Sequence, residues 1–174
     1  MRGKLMVATL VCAMVGAPVA ATTAAGALRC TLQAAPRAQV GQPVWMRFTL
    51  TNTGAAPLQV LAWNTPFEGA WFAPFVTVRR DGGAALPYRG PMLKRGDPQM
   101  ADYLRLEAGQ SLNAELDLAL PFDLSVPGRY RVQPRIQLID LMVPTAGASA
   151  PRPRARHQGA ELACPAVGFT LDPR

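Results

Sequence analysis

Residues 129–138, RYRVQPRIQL, alternate without a break: Tyr130, Val132, Pro134, Ile136 and Leu138 fall on one side, and Arg129, Arg131, Gln133, Arg135 and Gln137 on the other. A period of two marks a strand with one face on a core and the other in water, whereas a helix repeats its apolar positions every 3.6 residues. Pro134 adds a condition, because a proline inside a strand points to an edge or a bulge. The same alternation runs through WMRFTLTN (45–52) and SLNAELDL (111–118). Shorter runs at 29–34, 58–63, 75–79, 103–106 and 167–171 read as further strands. Between them stand turn signals: Val40-Gly41-Gln42-Pro43, Asn52-Thr53-Gly54, Asp81-Gly82-Gly83, Glu107-Ala108-Gly109 and Pro127-Gly128. Beyond the first 27 residues no stretch carries helical spacing. The pattern predicts an all-β antiparallel sandwich of roughly seven to nine strands.

SVPGRYRV (125–132) sharpens that expectation, since a Pro-Gly turn feeding a tyrosine at the head of a long strand resembles the tyrosine corner of immunoglobulin-like domains. Val132 stands where an antibody domain places its second cysteine, so the inter-sheet disulfide of antibodies is not expected. Cys30 and Cys164 form a different pair. One begins the first strand and the other precedes the last, and those two strands can run parallel in an immunoglobulin-like sandwich, which would bring both cysteines to one end. A disulfide is expected; the alternative is two free thiols.

The first residues, MRGKLMVATLVCAMVGAPVAATTAAGA, show basic Arg2 and Lys4, an apolar run and then small residues, the order of a secretory signal peptide. The apolar run is shorter than the roughly 20 residues a spanning helix needs, and no second one follows. Cleavage is expected after Ala20, Ala21 or Ala27. Lipidation at Cys12 is the alternative, against which Val11 stands at the position before it. The sequence therefore divides into a signal peptide (1–27) and one β-sandwich domain (28–174), exported to the periplasm or beyond, with no transmembrane segment. The formal charge of +7 falls to about +5 without Arg2 and Lys4, and allows an acidic partner without requiring one. Residues 143–160, VPTAGASAPRPRARHQGA, are poor in apolar side chains and read as a mobile loop made basic by Arg152, Arg154, Arg156 and His157. No aromatics are interleaved there to stack bases, which argues against nucleic acid as a partner.

Catalytic chemistry finds no support. The one histidine, His157, lies in that loop, whereas a general base needs a packed scaffold. There is no HExxH or CxxC, and one His with two paired Cys cannot form a tetrahedral zinc site. Glu115 and Asp117 share a strand face as solvated charges, and no calcium loop is present. No catalytic residue, metal ligand or cofactor is expected.

Aromatic and polar residues gather instead in two connections, WNTPFEGAWFAPF (63–75) and YRGPMLKRGDPQMADY (88–103). Trp63, Asn64, Pro66, Phe67 and Trp71 in the first, with Tyr88, Lys94 and Arg95 in the second, are the candidate contacts with a protein partner. Trp63 at least is expected to plug the end of the sandwich. Lys94 is the only lysine after Lys4, and it sits at the tip of a loop punctuated by Gly90-Pro91 and Gly96-Asp97-Pro98.

FTLTNTG, LQVLAWNTPFEG, GPMLKRGDP, DYLRLEAGQS and DLALPFDLSVPGRYRV, in that order from about Leu28 to about Ile139, resemble the non-catalytic N-terminal domain of bacterial deuterolysin-type (aspzincin, M35) metalloendopeptidases. In that family the domain precedes a peptidase domain bearing HExxH and a downstream aspartate, and neither occurs in these 174 residues. The resemblance implies a free-standing, propeptide-like module that inhibits or chaperones such an enzyme in trans. Several members of the family prefer lysine after the scissile bond, which implies an acidic pocket that Lys94 would enter. The alternative is an envelope-associated adhesion or structural domain without a peptidase partner. Oligomeric state is left open.

Overall fold

A computed structural model describes residues 24–147 and 149–174. The expected signal peptide falls almost wholly outside the described residues. Twelve short strands follow: β1 (Leu28–Ala34), β2 (Arg37–Gln39), β3 (Trp45–Asn52), β4 (Leu58–Leu61), β5 (Val76–Arg80), β6 (Tyr103–Leu106), β7 (Ser111–Asp117), β8 (Gly128–Pro134), β9 (Ile136–Leu138), β10 (Leu141–Met142), β11 (Ala160–Leu162) and β12 (Val167–Asp172). They pair as β1-β3-β7, β2-β12-β8-β5, β10-β4-β6 and β11-β9. All pairings are antiparallel except β2 with β12.

The alternation in β3 shows why the sheets close on each other. Met46, Phe48 and Leu50 are fully buried while Trp45 and Arg47 face water. Opposite them lie Val78 from β5, Val132 from β8 and Leu171 from β12, all in the same apolar cluster. Phe48 meets Phe75 edge to face at 5.9 Å. Each such side chain withdrawn from water is worth about 1.5–3 kcal/mol. The result is an all-β sandwich, as expected.

More strands form than the expected seven to nine, because one long run divides and three short strands, β2, β10 and β11, form outside the predicted runs. After Ala35-Pro36 the chain leaves β3, and β2 forms beside β12. The run 129–138 divides at Arg135: β8 pairs with β12 and β5, and β9 turns to β11. Pro134 marks the switch. The last rung between β8 and β12 is Val132↔Val167, so Pro134 lies beyond it and pairs only with Val76 of β5. The expectation of an edge or bulge is thus met by a change of partner within a central strand.

Both immunoglobulin-like expectations have counterparts. Tyr130 Oη donates to the carbonyl of Val126, four residues upstream, at 2.6 Å. Gly128, between them, has φ +145°, a region L side chains avoid. β2, the strand after β1, pairs in parallel with the last strand, β12, and the disulfide from Cys30 of β1 to Cys164 closes with a Cα–Cα distance of 4.9 Å.

Candidate functional site

Three segments meet at one end of the sandwich: the connection after β4, the long connection from β5 to β6, and residues 150–158. The first is ordered by a single 3₁₀ turn, Pro66–Glu68. Thr65 caps it, its hydroxyl donating to the Ala62 carbonyl at 2.6 Å and accepting from the Phe67 N–H at 3.2 Å. Asn64 takes the left-handed conformation, φ 59°, and its N–H donates to Glu68 Oε2 at 3.0 Å. These constraints turn the Glu68 carboxylate inward, where its side chain is 12% exposed.

Arg95 answers that carboxylate. Its guanidinium pairs with Glu68 Oε1, 5.2 Å from the centre of the Trp63 ring and 5.5 Å from that of Phe72. A cation held between a carboxylate and two ring faces is fixed by charge and by the ring quadrupoles together. Upstream, the Tyr88 hydroxyl lies 3.0 Å from the carbonyl oxygens of both Trp71 and Pro91. A Cβ at Gly90 would fall 2.4 Å from that hydroxyl, so the close approach requires glycine. Burial pushes the Tyr88 phenol above its ordinary value, which keeps it a donor. The loop is therefore tied at Pro91 and at Arg95. Between the ties, Met92 (73% exposed), Leu93 (43%) and the exposed Lys94 stand in solvent.

The third segment is held by Asp140, an acid with no exposed surface. It accepts from Tyr103 Oη at 2.7 Å, Arg152 Nε at 2.9 Å and the Gln158 N–H at 2.8 Å, and Arg152 Nη2 completes a bidentate pair. Burial alone would raise its pKa. The hydrogen bonds from Arg152, Gln158 and Tyr103 outweigh burial and hold the carboxyl below its ordinary value. Tyr103 is pushed up to about 12, by burial first and by the Asp140 hydrogen bond second. Ala150 is buried as well, its N–H donating to Gln59 Oε1 at 3.0 Å. From this anchor Arg154 reaches the long loop, Nη1 donating to the Arg95 carbonyl at 2.9 Å and its N–H to Asp97 Oδ1 at 3.2 Å. His157 Nε2 lies 3.0 Å from the Arg152 carbonyl.

The sequence-predicted contact residues thus separate into layers. Lys94 is exposed; Arg95, Asn64, Phe67 and Tyr88 are half-buried; Trp63, Pro66 and Trp71 are buried. Trp71 belongs to the core, stacked on Phe75 at 4.5 Å with Nε1 donating to the Asp117 carbonyl at 2.8 Å. The five aromatics of residues 63–75 present no exposed patch: Trp63, Trp71 and Phe75 are buried and Phe67 and Phe72 half-buried. The four basic groups of the 143–160 segment also part ways, because Arg152 is spent on Asp140. Sequence reasoning passed over Glu68 and Asp140. Each had a signal: Thr65-Pro66-Phe67-Glu68 has the spacing of a capping box, and Asp140 is a charge set between Ile139 and Leu141 in an apolar run.

Beneath Lys94 the three segments line a cavity of about 400 Å3 that is open to solvent. Trp63, Leu93 and Ile139 supply apolar wall, and Asn64, Lys94, Arg95, Arg154 and His157 supply donors. No group of three or more His, Cys, Asp or Glu side chains placed to hold a metal ion occurs among the described residues.

No family model matches the chain. Over 90 residues, 52% of the chain, it is 39% identical to an extracellular protease of Aeromonas hydrophila, of which those residues make up 25%. Over 89 residues, 50% of the chain, it is 30% identical to a neutral protease 2 homolog of Blastomyces gilchristii (strain SLH14081), covering 24% of that protein. Among solved structures, the Pseudomonas fluorescens alkylpurine DNA glycosylase AlkC bound to abasic-site DNA aligns with 84% of this chain and 30% of its own, at 15% identity and a TM-score of 0.34, an overlap too slight to carry an argument. The chain thus spans about a quarter of the length of the curated relatives it matches, and about half of it is similar to a region of secreted or neutral proteases.

Proposed function

We propose that this protein is an exported, non-enzymatic binding module that inhibits or chaperones an aspzincin-type zinc metalloendopeptidase in trans, with Lys94 entering a lysine-accepting pocket. The observation that carries this reading is the loop itself: a chain half of which resembles proteases displays Lys94 in solvent between two fixed points, Tyr88 on Pro91 and Glu68 on Arg95. Fixing the flanks lowers the conformational entropy lost on docking. An ammonium on a flexible stem suits a compact acidic pocket better than a guanidinium does. Disulfide and similarity to an extracellular protease both fit export.

The test is inhibition of a lysine-preferring aspzincin by the leaderless protein. Lys94→Ala should weaken it by about 2–5 kcal/mol, roughly thirty- to several-thousand-fold, the cost of truncating one partner of a buried interfacial charge pair. Arg95 is no neutral control, since it braces the loop. Arg105→Ala, on an exposed strand face paired with Glu107, serves instead and should change inhibition little. Equal inhibition by wild type and Lys94→Ala would reject the plug. Absence of binding to any such peptidase would favour an envelope-associated adhesion or structural role.

A further inference from the structure

Two buried donors have no acceptor among the described residues, Trp63 Nε1 and Arg95 Nε, and both residues line the cavity beneath Lys94. Native proteins leave very few such groups, because each costs about 1–3 kcal/mol and more when charged. Two at one cavity is a local surplus of N–H over oxygen. Glu68 does not relieve it: its oxygens receive Arg95 Nη2 and the Asn64 N–H, and neither orphan donor reaches them. The lining holds no acidic side chain, while Lys94 and Arg154 add two cations. Arg154 is only partly engaged, through the Arg95 carbonyl and Asp97.

We propose that this cavity is a carboxylate-binding site for an acid carried on a short apolar stem. Its two oxygens would meet Lys94 and Arg154, and a small turn of the Trp63 ring or the Arg95 guanidinium, whose Nε1 and Nε are closed off from solvent, would bring the unpartnered donors to them, while the stem lies against Leu93, Ile139 and the Trp63 ring. The mixed lining selects the class: a carboxylate offers in-plane acceptors on an apolar carrier, whereas inorganic phosphate would leave the apolar walls unused. The inference concerns donors of this chain alone and holds whether or not Lys94 also enters a peptidase.

Indole N–H signals of Trp45, Trp63 and Trp71 give the test in the leaderless, disulfide-bonded protein. Propionate and capped acetyl-Gly-Glu-Gly-amide are titrated separately at constant ionic strength, with inorganic phosphate and chloride as comparisons. The Trp63 indole proton should move downfield and saturate, while Trp71, already bonded to Asp117, stays still and reports an intact core. Arg154→Gln and Lys94→Gln should each weaken the response several-fold. Saturation tenfold tighter with the glutamate peptide supports a protein side chain as the source; equal affinity supports a free small acid. An unmoved Trp63 signal, equal movement on chloride, tighter saturation with phosphate, or an undiminished response in both variants would overturn the proposal.

Discussion

Replacing Asp140 by Asn tests how the wall of the candidate site is held. The carboxylate has no exposed surface and receives Tyr103, both Arg152 nitrogens and the Gln158 N–H. An amide in its place keeps one oxygen but turns an NH2 toward donors, and leaves the Arg152 side chain, 15% exposed, without its counter-charge. Removing one partner of a buried pair costs about 3–5 kcal/mol. For a domain of this size that is a fall in Tm of about 6–20 °C. Tyr103→Phe deletes one bond to the charged acceptor and should cost about 1.5–3 kcal/mol. Arg152→Met added to Asp140→Asn should recover part of the loss, since it removes the stranded charge. Urea unfolding of the disulfide-intact protein compares the wild type with all three variants. Acid gives an independent check. The Asp140 carboxyl lies lower in the fold than its ordinary 3.8, so its stabilisation is full above about pH 5 and is lost as pH falls through the folded value. The gap between wild type and Asp140→Asn should therefore close on acidification below about pH 4. A cost under about 1 kcal/mol at pH 7, or a gap that widens in acid, would refute the account of Asp140 as the anchor of residues 150–158.

Cys30→Ser with Cys164→Ser removes a crosslink with a sequence separation of 134 and should cost about 5 kcal/mol in the chain-entropy model, read as a lower urea midpoint. Protein beginning at Leu28 should show no titratable thiol when unfolded without reductant. Tyr130→Phe loses the hydroxyl bond to Val126 and should cost about 1 kcal/mol at constant m-value. Arg95→Ala strands Glu68 and unstacks Trp63, for about 2–4 kcal/mol, while Lys94→Ala should change stability by less than about 0.5 kcal/mol; equal effects would erase the distinction between brace and tip.

What was legible in the sequence follows from which forces are local. β3, β7 and β8 announce themselves because one face is buried, or in β7 half-buried, over seven or eight residues, long enough for a period of two to show. β2, β10 and β11 are two or three residues long and exist because a neighbouring strand offers hydrogen bonds, which no local pattern encodes. Lys94 and Arg95 look alike as neighbours in a polar loop. They are told apart by Glu68, whose carboxylate is turned inward by a distant 3₁₀ turn, so their roles depend on a meeting of segments that composition cannot place. The tyrosine corner and the cysteine pair were readable because each depends on strand order, and strand order follows from the alternation and its turns.

The parallel pairing of β2 with β12 and the adjoining disulfide also determine how the domain would bear a mechanical load. Tension applied at its two ends would run from Cys30 straight across to Cys164, leaving the chain enclosed between them slack. Only the short stretches outside the bridge would feel the pull. There β12 lies between β2 and β8, and drawing it along its own axis would slide the parallel rungs with β2 all at once rather than unzip them in turn. With the bridge reduced, the same pull would reach β1 and β3 first. The sulfur pair would thus act as a force shunt, and oxidation state would decide whether the domain is a stiff link or an extensible one.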